Sequence, residues 1–146
     1  MIRQQIVLDK YDDWEVDVYY GVTHFDVGEI MERLNQIGCD GRTAYLAYQN
    51  LSSKGLNTGL TYSNFGTKQS VMVIGIADSP KQFINTLCHE QFHLSAHIGK
   101  VYFMDMYGEE ICYLMGHIAQ EMFKVSRKFI CECCRKKDSY EKEEKR

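Results

Sequence analysis

Ser79-Pro80-Lys81-Gln82-Phe83-Ile84-Asn85-Thr86-Leu87-Cys88-His89-Glu90-Gln91-Phe92-His93-Leu94 is the stretch whose reading decides the fold. Ser79 is a capping residue, Pro80 suits the first helical position because its missing donor is not needed there, and Gln82 completes a capping box. Phe83, Ile84, Leu87, Cys88, Phe92 and Leu94 then recur at helical spacing as one apolar stripe. Gly99 is the expected stop, so the helix is predicted over about residues 80–98. On such a helix His89 and His93, four residues apart, share a face to one side of the stripe.

That spacing carries chemistry. Two imidazoles at i and i+4 reach one ion, and zinc accepts such nitrogens while a catalytic site keeps a position for water. Glu90, next to the first histidine, is placed to take a proton from that water and return it to a leaving group. His89-Glu90-x-x-His93 is thus the short motif of zinc-dependent hydrolases, with Zn2+ as the expected cofactor. The string also arises by accident in roughly one chain in eighty of this composition, so its surroundings must support it.

A third ligand is sought in the surroundings. His97 continues the four-residue spacing, but positions i and i+8 are about 12 Å apart along a helix, too far for one ion already held by the middle ring. It is read as a half-exposed or supporting residue. Downstream, Gly108-Glu109-Glu110-Ile111-Cys112-Tyr113-Leu114 opens a second apolar helix expected to run to about residue 130. Glu109 shares a helical face with Cys112, Gly116, Ala119 and Phe123, read as the inward one, where an acid needs a partner. Glu109 is therefore the preferred third ligand and Glu110 the alternative. A donor for a developing oxyanion is also needed, and His117, Tyr107 and Tyr113 are the candidates.

These residues carry a resemblance. His89-Glu90-x-x-His93 followed by a Glu opening the next helix is similar to the gluzincin division of zincin metallopeptidases. With Asn85-Thr86 before it and Glu109-Glu110-x-x-Tyr113-Leu114-x-Gly116 after it, the string also looks like small zincin-like proteins of phages and prophages. The resemblance covers roughly residues 56–123. It implies a metallopeptidase with a peptide or protein substrate, a metal held by His89, His93 and Glu109, and Glu90 as base. Larger gluzincins often place Asp or Ser where Tyr113 stands, and they carry a second domain that walls the cleft. Those departures bear on peptidase activity more than on metal binding. The alternative is a non-enzymatic phage-type binding protein that retains a structural or vestigial zinc site; a metal-free α+β module with a chance motif is the third reading.

The 146 residues suffice for one domain with a sizeable core, expected over 1–134, and Arg135 begins a charged, disordered tail over 135–146. A formal charge of −3 gives no electrostatic case for nucleic acid or an anionic membrane. No stretch is long and apolar enough to span a bilayer. Met1-Ile2-Arg3-Gln4-Gln5 lacks signal-peptide regions, which leads to the expectation of a cytoplasmic protein, in a bacterium or an infected host. The six cysteines are accordingly expected as thiols. Cys88 and Cys112 are read as small hydrophobes in helical stripes, and Cys131-Glu132-Cys133-Cys134 as the frayed end of a helix, its spacing matching no zinc ribbon.

The remaining elements are short. Gln4–Leu8 and Trp14–Tyr20 read as strands, the second with Trp14, Val16, Val18 and Tyr20 on one face and Glu15, Asp17 and Tyr19 on the other. Asp26-Val27-Gly28-Glu29 is read as a capping box for a helix ending before Gly38, and Asp40 as the cap of another to about Leu51. Leu56–Ser63 and Ser70–Ala77 form a hairpin across Asn64-Phe65-Gly66-Thr67-Lys68. The sum is an α+β class: a minimal zincin-like domain, its small, mostly antiparallel sheet packed against the metal helix and the helix after it. Either strand of that hairpin is a candidate edge for pairing with an extended substrate.

Overall fold

The computed structural model describes residues 1–131; the expectations for Cys133, Cys134 and the tail lie outside the described residues. Its elements run β1 (Ile2–Leu8), β2 (Trp14–Val22), α1 (Val27–Gln36), α2 (Gly41–Ser52), β3 (Gly59–Asn64), β4 (Gln69–Gly75), α3 (Pro80–Val101) and α4 (Glu109–Ile130). The α+β class is as expected. The four strands form one mixed sheet in the order β1-β2-β4-β3. β1/β2 and β3/β4 pair antiparallel, whereas β2 and β4, far apart in sequence, pair parallel.

Alternation along the two central strands builds two cores. Trp14, Val16, Val18 and Tyr20 of β2, with Met72 and Ile74 of β4, face α3 and α4 and meet Phe83, Leu87, Leu94, Ile98, Ile111, Leu114, Ile118 and Met122. Tyr19, Val71 and Val73 face the opposite way, onto Ile30 and Leu34 of α1 and Ala47 and Leu51 of α2. Asp17 shares that second face and is fully buried, and its carboxylate is paired with Arg3 at 2.8 Å and Arg33 at 2.6 Å. A buried carboxylate is costly unless paired, and here two guanidiniums neutralise it.

Helix ends depart from the expected punctuation in three places, the first at α2, where Asp40 stands at the cap position but makes no side-chain capping bond. The capping box belongs to Thr23: its side chain accepts from Phe25 N–H, and Asp26 accepts from Thr23 N–H, so Asp26 is the acid of the box and not its cap. Near the C-terminus of α3, Gly99 does not stop the helix. It is buried inside the helix, where a Cβ would lie 3.2 Å from Ile111, so it serves close packing of α3 on α4. The stop comes at Phe103, in the left-handed region with φ 53°, and Met104 N–H returns to Gly99 C=O at 2.9 Å. That bond closes a Schellman turn around a non-glycine residue.

The hairpin expectation holds, with Asn64 Oδ1 gathering the Gly66 and Thr67 N–H groups in the turn. β4 is an inner strand, so the edge role falls to β3 alone of the two. Gly75 N–H donates to Thr58 C=O, which fixes the phase of this antiparallel pair: Leu60 and Tyr62 bond inward to β4, and the backbone groups of Thr61 and Ser63 point outward. Side-chain direction follows the register. Gly59, Thr61 and Ser63 sit opposite Ile74, Met72 and Ser70 and so face α3, while Leu60 and Tyr62 face the α1/α2 core.

Candidate metal centre

Ser79 and Pro80 start α3 as expected: Ser79 Oγ accepts from Gln82 N–H at 3.2 Å, with Pro80 in the first turn. The helix then runs without interruption through Glu90 and both histidines. Its buried side carries Phe83, Leu87, Leu94 and Ile98, and a polar side carries Thr86, Glu90 and His97 beneath β3. His89 and His93 stand at the rim, both exposed. Their Nε2 atoms converge to 3.1 Å, with ring centroids 4.8 Å apart and planes at 68°.

That separation can be tested against a metal. Two imidazole nitrogens at 2.0–2.1 Å from one tetrahedral ion lie about 3.3 Å apart. The observed 3.1 Å fits. It also suits a hydrogen bond between neutral rings of unlike tautomer, whereas metal binding needs the proton on each Nδ1. Both arrangements bring the two Nε2 atoms together, which exposed side chains adopt only at an entropic cost.

Glu90 is the buried member, its side chain 6% exposed against 65% for that of His89. Its Oε2 accepts from Thr61 Oγ1 at 2.6 Å, and its Oε1 lies 3.9 Å from His89 Nε2. The carboxylate fits under β3 because residue 59 is glycine: a Cβ there would fall 2.6 Å from Oε1 and 2.8 Å from Cγ. Beyond it along α3, His97 Nδ1 meets Ser63 Oγ at 2.8 Å, Ser63 meets Ser70 at 2.7 Å, and Trp14 Nε1–H donates to Ser70 at 2.9 Å. His97 packs edge-on against Phe65. Burial, with His93 and Lys100 nearby, holds its pKa below the ordinary histidine value. His97 is half-buried, and its hydrogen bond is to β3.

The expected third ligand is not brought to the pair. Glu109 is exposed, because the inward face of α4 is Ile111, Leu114, Ile118 and Met122, and not Cys112, Gly116, Ala119 and Phe123. Register adds distance. Gln91 Nε2–H donates to Met115 C=O, and Ile111 lies against Gly99, so the antiparallel helices bring Met115 level with the histidines and Glu109 level with Gly99. Glu109 therefore stands about six residues, roughly 9 Å along the axis, beyond His93. Glu110 turns toward the opposite side, near Tyr11, whose phenol is raised by burial first and then by the charge of Glu110. Among the described residues no group of three His, Cys, Asp or Glu is arranged to hold a metal ion.

The oxyanion candidates are also elsewhere. Tyr107 is 100% exposed. Tyr113 and His117 line a cavity of about 230 Å³ with Leu8, Lys10 and Tyr11, beside β1 at the far edge of the sheet from β3. Cys88 and Cys112 are exposed and not part of the core, so neither acts as the small hydrophobe expected. Gly59, Thr61 and Ser63, by contrast, belong to no recognisable motif, and the sequence reading misses them. Their signal is three small or hydroxyl side chains at every second position of a strand, opposite Leu60 and Tyr62, which marks a polar strand face turned toward a helix.

No family model matches this chain, and no curated protein or solved structure matches it either. Among the described residues no helix is long and apolar enough to cross a membrane.

Proposed function

We propose that this chain is a zinc-dependent hydrolase, a small peptidase acting on an extended segment, with His89 and His93 as metal ligands and Glu90 as general base. One observation carries the reading: the Nε2 atoms of His89 and His93 converge to 3.1 Å beside a buried carboxylate whose free oxygen is 3.9 Å from the first ring. Zinc bound there would polarise a carbonyl and lower the pKa of a bound water to about 7. Glu90 supplies the proton acceptor. Its Oε2 is fixed by Thr61, which leaves Oε1 on the side of the histidines. β3 supplies the positioning surface, since the outward N–H and C=O groups of Thr61 and Ser63 can pair with an extended chain along the edge.

Two protein ligands leave the other coordination positions to water and substrate. Such a site binds zinc more weakly than one with three ligands, so assays must supply the metal. Zinc-loaded wild type and Glu90→Gln, tested on a quenched-fluorescent peptide library, give the decisive contrast. The reading expects cleavage by wild type and a loss of about 10²–10⁴-fold in Glu90→Gln, with zinc retained. Equal inertness of two zinc-bound proteins would remove the catalytic reading.

A second reading has its own observation. The absence of a third ligand among the described residues favours a non-enzymatic binding protein that keeps a weak zinc site. Under it, Glu90→Gln leaves partner binding and metal content alike.

A further inference from the structure

We propose that Thr61 and Gly59 are positioning residues that keep Glu90 a base by holding its carboxylate back from the metal. The inference rests on the metal reading given above. Glu90 is within reach of becoming a ligand itself. A nitrogen and a carboxylate oxygen on one tetrahedral zinc lie about 3.4 Å apart. Glu90 Oε1 stands 3.9 Å from His89 Nε2, about half an ångström farther. A flexible carboxylate beside a cation closes such a gap unless something restrains it, and a carboxylate oxygen bound directly to zinc has a lone pair committed to the metal, which makes the group less basic toward the proton of a bound water.

The restraint comes from one face of β3. Thr61 Oγ1 donates its one proton to Glu90 Oε2 at 2.6 Å and so ties the carboxylate to the strand. Two positions earlier on the same face, Gly59 leaves the space that the carboxylate fills; a Cβ would stand 2.6 Å from Oε1, 2.8 Å from Cγ and 2.9 Å from Cδ. The hydroxyl pulls the carboxylate under the strand, and the missing side chain lets it go there. Removing either one frees Oε1 toward the histidines.

Cobalt(II) titration of tag-free, demetallated protein, followed by its visible bands, tests this without any substrate. A merely structural role for Thr61 predicts that Thr61→Val weakens metal binding or leaves it unchanged. The proposal predicts the opposite: Thr61→Val binds cobalt roughly tenfold more tightly, and its bands change as a carboxylate oxygen joins the ion. The gain disappears in Thr61→Val/Glu90→Gln, and Thr61→Ser, which keeps the hydroxyl, behaves as wild type. Gly59→Ala pushes the carboxylate from the other side and is expected to raise affinity in the same direction, which keeps the test open should Thr61→Val not fold by circular dichroism. Wild-type affinity in the folded variants overturns the positioning role alone. Failure of wild type and every variant to bind cobalt overturns the metal reading and this inference together.

Discussion

The two sides of α3 do different work. On one, Phe83, Leu87, Leu94 and Ile98 meet the apolar faces of β2, β4 and α4, where burial of each side chain is worth about 1.5–3 kcal/mol. On the other, Thr86, Glu90 and His97 meet the backbone of Asn57 and the hydroxyls of Thr61 and Ser63. Polar groups there recover little beyond the cost of leaving water, and a carboxylate recovers less than a leucine would. The first side makes the helix stable; the second gives up some of that stability to fix Glu90 and His97 beneath the sheet edge. A site of this kind is sustained because the adjoining face of the same helix buries Phe83, Leu87, Leu94 and Ile98, with the buried Gln91 and Ser95 beside them satisfied by the carbonyls of Met115 and Gln91.

The largest effect is expected from the apolar side. Leu94→Ala, at a fully buried position, should destabilise the protein by about 2–5 kcal/mol in denaturant unfolding, with metal affinity of the folded fraction unchanged. A matching loss of metal affinity would show that the two sides are not separable. Ser63→Ala removes the link between Ser70 and His97 and should cost about 1–3 kcal/mol, because both neighbours lose a buried partner. A cost near zero would mean that the polar face contributes nothing to the fold.

Proton linkage sharpens the contrast further. The folded-state pKa of His97 is depressed, chiefly by burial, so its charged form favours the unfolded chain. The sign follows: this contribution is fully present above the unfolded histidine value of about 6.5 and is lost as pH falls through the folded value. Metal-free wild type should therefore lose thermal stability on acidification from neutral pH more steeply than His97→Gln. Parallel slopes for the two proteins would assign the acid sensitivity to other groups. The smallest effect is expected at Glu109. Its replacement by Ala removes only a favourable charge at a helix N-terminus, about 0.3–1 kcal/mol, and should leave zinc affinity unaltered. A large fall in zinc affinity would return Glu109 to the site.

Much of this layout is legible in the sequence. Local signals carry α3, α4 and the β3/β4 hairpin: Ser79-Pro80 at a helix start, 3.6-residue periodicity, and Asn64-Phe65-Gly66 at a turn. The alternation of Trp14, Val16, Val18 and Tyr20 marks the α3/α4 face of β2 correctly. The parallel pairing of β2 with β4 is not legible, because it joins segments about fifty residues apart with no local trace. The inward face of α4 escapes the sequence for a different reason. Cys112, Gly116, Ala119 and Phe123 form a stripe of small and apolar residues beside the true one, Ile111, Leu114, Ile118 and Met122, and periodicity alone does not rank two apolar stripes. The expectation for Glu109 rests on the wrong stripe. His89, Glu90 and His93 stand out because their spacing is local to one helix. Thr61 and Gly59, which hold Glu90, lie about thirty residues away on a strand and come into view only where β3 lies over α3.

The central claim is that His89 and His93 hold a metal ion together. Its most direct test is calorimetric zinc titration of tag-free, demetallated protein, with His89→Ala, His93→Ala and the double variant measured alongside. One equivalent of zinc in wild type, with affinity reduced by more than about 100-fold in either single variant and abolished in the double variant, is the predicted result. Undiminished zinc binding by the folded double variant would contradict it and place the metal elsewhere in the chain.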